Sequence, residues 1–240
     1  MKVIVVENYA ELSKIAAEMI AEAVTANPNA TLGLATGSTP IGCYKLLAEF
    51  CQSKRISFAG IKTVNLDEYV GLGKNDVNSY AYFMRSKLFD HIDIDLNNTA
   101  IPNGCAEDIV QECLSYEHML SVLPRDVQIL GLGSNGHIGF NEPYTPFDCS
   151  THIAELSSNT IADNSRLFEN SDDVPRKAIT MGISDILQAR KIILLASGAN
   201  KAQAVYDMVK GKVSPKCPAS VLQQHCDCTV IADKSAAALL

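Results

Sequence analysis

Three things are missing from this chain of 240 residues: an excess of basic charge, a linker between domains, and an apolar run long enough to span a bilayer. The formal charge is −7. Proteins that bind nucleic acid replace phosphate counterions with a basic patch, and here the basic residues are scattered, with only pairs such as Lys54-Arg55 and Arg190-Lys191. No Pro/Gly/Ser-rich stretch, charge run or repeat divides the chain, so residues 1–240 are expected to form a single domain with a full core. The opening Met1-Lys2-Val3-Ile4-Val5-Val6-Glu7 is too short for a signal sequence and reads as a strand, so a cytoplasmic protein without membrane contact is expected. A metal motif is missing as well. The eight cysteines include no C-x-x-C pair, and Cys226-x-Cys228 has no second pair at zinc spacing. Free thiols are expected, with neither a metal nor a cofactor.

Apolar runs alternate with amphipathic stretches. Strands are expected at 3–6, 31–35, 64–66, 127–132, 153–156, 192–196 and 229–232. Helices are expected around 12–23, from Pro40 onward with Leu46, Leu47 and Phe50 inward, and at 79–88, 109–123, 179–187 and 200–209. Strands separated by helices imply an α/β fold, Rossmann-like, with a mainly parallel sheet and helices on both faces. Ligands of such folds bind at the carboxyl ends of the strands, so the segments just after each strand carry the functional information.

After the second strand comes Thr36-Gly37-Ser38-Thr39-Pro40. Gly37 permits a tight turn, Ser38 or Thr39 can cap the next helix, and Pro40 suits its first position. Two readings stand: an anion site at the helix N-terminus, or an ordinary capped helix. After the third strand comes Asn65-Leu66-Asp67-Glu68-Tyr69. Neighbouring residues on an extended chain point to opposite sides, so one carboxylate can face a ligand while the other is structural or capping. Solvated loop acids are the plain alternative.

The segment Gly131-Leu132-Gly133-Ser134-Asn135-Gly136-His137-Ile138-Gly139-Phe140-Asn141-Glu142-Pro143 is the richest. Its glycines bring backbone close to something, a histidine can move a proton near neutrality, and Glu142 can orient it. The spacing Gly131-x-Gly133-x-x-Gly136 is superficially that of a dinucleotide loop, but His137 and Pro143 follow instead of a clear apolar helix. A structural glycine turn with a satisfied histidine is the other alternative. Lys201, at the Gly-containing turn Ser197-Gly198-Ala199-Asn200-Lys201, and Arg166 can each pair with an anion or lie on the surface as solvated charges.

Together and in this order, these segments, with Ser79-Tyr80 and Asn164-Ser165-Arg166, resemble the glucosamine-6-phosphate deaminase family, from near the first strand to the last. The resemblance implies conversion of glucosamine 6-phosphate and water to fructose 6-phosphate and ammonia. It implies that Thr36, Gly37, Ser38, Thr39, Arg166 and Lys201 hold the substrate phosphate. It further implies that His137 opens the sugar ring, that Asn135 and Glu142 tune His137, and that Asp67 carries a proton from C2 to C1. Many family members carry Asp where this chain has Asn135, which supports a histidine cation less and touches the pH optimum instead of the activity. Regulated, hexameric members hold the phosphate of an N-acetylglucosamine 6-phosphate activator with an Arg and a Lys. Those positions correspond here to His152 and Ala154, so a monomer or small homo-oligomer without that regulation is expected. Two other readings stand beside this one: a lactonase of the same fold, and a sugar-phosphate sensor with a decayed centre. A lactonase needs no acid at Asp67. Intact Asp67, His137 and Glu142 speak against decay, and 240 residues filled by one domain leave no room for a sensor's DNA-binding module.

Overall fold

A computed structural model describes residues 1–157, 160–161, 168 and 174–240. The chain opens with β1 (Lys2–Val6) and α1 (Tyr9–Ala26). Asn8 starts α1 by accepting the N–H of Glu11 at 3.1 Å, which satisfies one of the helix's otherwise unpaired first-turn donors. Leu12, Ala16, Ile20 and Val24 form its buried stripe. The helix stops at Asn27, which Pro28 holds extended. There follow β2 (Thr31–Leu34), α2 (Ile41–Gln52), β3 (Lys62–Asn65), β4 (Asp67–Tyr69) and α3 (Tyr80–Lys87). Next come β5 (Thr99–Ala100), α4 (Ile109–Val122), β6 (Val127–Gly131) and β7 (His152–Glu155). The chain closes with β8 (Lys177–Thr180), α5 (Ile183–Leu187), β9 (Lys191–Ala196), α6 (Ala202–Val209) and β10 (Cys228–Asp233).

Seven strands form one sheet in the order β1-β10-β9-β6-β2-β3-β5, and every pairing in it is parallel. This is the α/β architecture read from the alternation of the sequence. Strands β2, β9 and β10 are buried almost throughout, as befits a parallel sheet covered by helices. From β2 the chain moves outward through β3 to β5. It then returns to the other side of β2 as β6 and continues outward through β9 and β10. The strand order thus reverses between β2 and β6. Loops leaving those two strands diverge, and a crevice opens between them.

Four elements differ from the expectation. The two-residue edge strand β5 is not among the expected strands. A second, antiparallel sheet has the order β4-β8-β7, with Asp67 opposite Thr180 and His152 opposite the same threonine. The apolar run 179–187, expected as one helix, is split. Ala178, Ile179 and Thr180 are fully buried in β8, where β-branched side chains fit, and only Ile183–Leu187 is helical. Gly182 is the extended N-cap of that helix, and only glycine fits there, because a Cβ would lie 2.1 Å from the Cys149 carbonyl oxygen. Finally, Pro40 occupies the cap position of α2 instead of its first turn, and no side-chain cap hydrogen bond is made there. Among the described residues no helix is long and apolar enough to cross a membrane.

Candidate active site

The loops at the carboxyl ends of β2, β3, β6 and β9 enclose a cleft of about 550 Å³ at this crevice. Thr36, Gly37, Ser38, Thr39, Asp67, His137 and Lys201 all line it. Of the other residues named from sequence, Asn135 and Glu142 stand behind His137, and Arg166 lies outside the described residues together with Asn164 and Ser165.

Asp67 ends the short connection from β3 and is only 6% exposed. Its Oδ1 is buried without a hydrogen-bond partner. Burial first, and the neighbouring negative charge of Glu68 second, push its pKa up to about 8. Glu68 points away and accepts backbone N–H groups from Tyr69, Tyr80 and Ala81. The two adjacent acids therefore divide as an extended strand requires, one toward the cleft and one into a cap.

Glycine geometry seats His137. A Cβ on Gly133 would lie 2.4 Å from the imidazole, so only glycine lets the ring pack there. Gly136 turns the loop with φ +86°, a conformation that favours glycine. His137 Nδ1 lies 3.8 Å from Glu142 Oε2. Asn135 stands beside them: its Nδ2 donates to the same Glu142 oxygen at 2.8 Å, and its Oδ1 accepts the backbone N–H of His137 at 3.2 Å. Ser157 donates to Glu142 Oε1 at 3.0 Å, and Thr160 donates to it as well. Burial pushes the Glu142 carboxyl up. The Thr160 hydroxyl, the charge on His137 and the bonds from Asn135 and Ser157 outweigh it and hold the group below its ordinary value.

The loop 36–39 and the turn before Lys201 lie across the same cleft. Gly37 has φ +91°. The Tyr9 hydroxyl, from α1, fastens this loop by donating to the Ser38 carbonyl at 3.1 Å and accepting the Gly42 N–H at 2.8 Å. On the other side, Asp233 at the end of β10 accepts the Ser197 hydroxyl at 2.5 Å and the Gly198 N–H at 3.1 Å. That acid shapes the 3₁₀ turn Ala199–Lys201. Backbone donors at the head of a helix and a lysine facing them make a site for a small anion.

Several lining residues were not singled out from sequence. Tyr80, Phe140, Thr160, Ser197 and Asn200 also face the cleft. Tyr80 stacks on Phe140 with centroids 6.1 Å apart, bonds the Tyr69 hydroxyl at 3.1 Å and is hydrogen-bonded to Thr36. Among the described residues no three His, Cys, Asp or Glu side chains cluster so as to hold a metal ion. His152 and Ala154 lie on β7, where His152 Nδ1 is 2.8 Å from the Ser150 carbonyl.

Comparison with known proteins adds to this geometry. The family model described as glucosamine-6-phosphate isomerases/6-phosphogluconolactonase matches residues 6–231. The glucosamine-6-phosphate deaminase of Clostridium novyi (strain NT) is 53% identical over 241 residues, covering 100% of both chains. That of Clostridium perfringens (strain 13 / Type A) is 48% identical with the same coverage. The solved structure of a monomeric glucosamine-6-phosphate deaminase superposes with a TM-score of 0.98 at 47% identity over 100% of both chains. A 6-phosphogluconolactonase from Trypanosoma cruzi, 22% identical, shares the fold with a TM-score of 0.79, covering 100% of this chain and 96% of its own.

Proposed function

Because the chain belongs to the glucosamine-6-phosphate isomerase/6-phosphogluconolactonase family, we propose that it is a deaminase converting glucosamine 6-phosphate and water to fructose 6-phosphate and ammonia. The observation that carries this reading is a buried carboxylate, Asp67, in one cleft with a histidine and an anion site. The loop 36–39 and Lys201 hold the phosphate, with Arg166 as a second cation. His137 moves a proton to the ring oxygen and opens the pyranose, with Glu142 behind it stabilising the imidazolium and Asn135 fixing their geometry. Asp67 then takes the proton from C2 of the open chain, which leaves an enolamine. Returned to C1, the same proton gives an imine at C2, and water hydrolyses it to the ketone and ammonia.

Free Asp67 is largely protonated at neutrality, with a pKa of about 8. The substrate supplies the correction: its C2 ammonium lies beside the carboxyl and favours the charged form. The cationic end of the substrate thus switches on the base that attacks it. A lactonase has no use for a buried acid at this place, and that favours the deaminase over the other activity of the family. The protein works as one domain, a monomer or small oligomer, in the cytoplasm, where ionic sugar phosphates are retained. The test is release of ammonia from glucosamine 6-phosphate, with 6-phosphogluconolactone as the control. Hydrolysis of the lactone without ammonia from the amino sugar would reverse the assignment.

A further inference from the structure

We propose that Glu68 is a positioning residue for the reaction, its buried carboxylate tying the strand of Asp67 to the first turn of α3 and so fixing the base relative to the phosphate loop. The proposal rests on the reading of Asp67 as the base.

Glu68 is 2% exposed. Its Oε1 accepts the N–H groups of Tyr69 and Tyr80, each at 2.9 Å, and its Oε2 accepts that of Ala81, also at 2.9 Å. Tyr80 and Ala81 are the first residues of α3, whose opening N–H groups have no partner within the helix. Ser79 accepts a further one, from Tyr82, at 3.0 Å. A cap at Ser79 is ordinary. The second acceptor comes from a sheet strand twelve residues away, next to Asp67. Asp67 and Glu68 are paired with Thr180 and Ile179 in β8, so a tilt that moves one moves the other. From α3 the connection continues: Tyr80 is bonded to Tyr69 and to Thr36, the first residue of the phosphate loop. Base, helix and anion site are one hydrogen-bonded frame, and Glu68 is its joint.

A carboxylate suits the joint because all three partners are donors. An amide offers one oxygen and turns an NH2 toward an N–H. The charge has a second effect, since it lies directly behind Asp67 and favours the protonated form. Other titratable groups surround the pair. Tyr80 on α3 and Tyr116 on α4 face Asp67, His137 lines the same cleft, and Asp76 faces Glu68. On its far side Glu68 borders a second cleft of about 410 Å³ that Lys74 and Arg85 also line.

The experiment compares Glu68→Gln and Glu68→Asp with wild type, taking Asp67→Asn as reference. Glu68→Gln is expected to lower kcat about tenfold or more, in the range that misplacement of a reacting group costs. It should also move the acid limb of kcat/KM to lower pH, with KM changed less than about threefold. Glu68→Asp keeps the charge and shortens the reach, so kcat falls while the limb stays. A Glu68→Gln enzyme with wild-type kcat, or with reduced kcat and an unmoved limb, overturns the proposal. If Glu68→Gln does not fold, Glu68→Asp decides, and an unchanged kcat overturns it. Full turnover in Asp67→Asn would instead sink the assignment of the base, so the two failures are distinguishable.

Discussion

Replacing Asp67 by asparagine should inactivate the protein and make its stability less dependent on pH. The folded pKa is about 8 against an ordinary 3.8. Between those values the unfolded chain has released this proton and the folded chain has kept it. Stability therefore falls as pH rises, by about 1.4 kcal/mol per unit. The contribution is fully present below pH 3.8 and lost by about pH 8. At pH 6 the loss is roughly 3 kcal/mol, and above pH 8 it levels off near 5–6 kcal/mol. Asparagine does not titrate, so the variant escapes this slope. It adds a buried amide to a place where Oδ1 already lacks a partner, at a cost of about 1–3 kcal/mol independent of pH. The difference in Tm, variant minus wild type, should thus climb between pH 5 and 8 and flatten above. For a chain of this size, the rise expected from the titration between pH 5 and 8 is about 4 kcal/mol, or about 8–16 °C. Turnover should fall by about a hundredfold or more, as loss of a general base requires. Thermal melts of both proteins across this range make the test. Two parallel curves would mean that Asp67 is not held protonated by its surroundings, and the argument from burial would fail.

Three further outcomes follow from the same geometry. His137→Gln should slow turnover of the cyclic substrate about a hundredfold, while the binding of an open-chain sugar-alcohol phosphate stays within about threefold. Equal damage to both would show that His137 serves binding or folding. The acid limb of kcat/KM should lie near the free value of Asp67, about 8, and that of kcat clearly lower, because the bound ammonium favours the carboxylate; coincident limbs would remove the substrate's part in activating the base. Substrate saturation should be hyperbolic with and without N-acetylglucosamine 6-phosphate, since His152 and Ala154 on β7 do not offer the permanent Arg/Lys cation pair its phosphate would need. A sigmoidal curve that the effector straightens would refute this.

The parallel sheet was legible because its strands are short apolar runs set between amphipathic helices, and periodicity reports that directly. Strands β4, β5 and β8 were not, and β5 is no more than Thr99–Ala100. Asp67-Glu68-Tyr69 is polar and three residues long, and its partner arrives 110 residues later, so nothing local marks it as a strand. The apolar run at 179–187 suits a buried strand or a helix equally, and the pairing with β4 and β7 that makes its first part a strand is not local. The same division runs through the site. Glycine-rich turns at strand ends announce themselves, and Thr36–39, Asp67, His137 and Lys201 meet in one cleft. Residues that hold those groups in place are silent in sequence. Asp233 reaches the Ser197 turn from the last strand, and Ser157 and Thr160 reach Glu142 from beyond β7.

What unites the visible and the silent parts is where unfavourable terms collect. Asp67 is buried with a bare oxygen, and a second acid lies directly behind it. Each of these costs stability taken alone, and the bare oxygen belongs to a residue that lines the cleft. The compensation lies in the frame. Glu68 satisfies three backbone donors, Tyr9 fastens the loop 36–39, and Asp233 fastens the turn before Lys201. A parallel sheet whose strand order reverses at this point leaves the loop ends separated, so the groups of the cleft can converge on a ligand without packing against each other. The costs fall where proton transfer needs them, and the hydrogen bonds that offset them lie one residue behind, where substitution should separate stability from turnover.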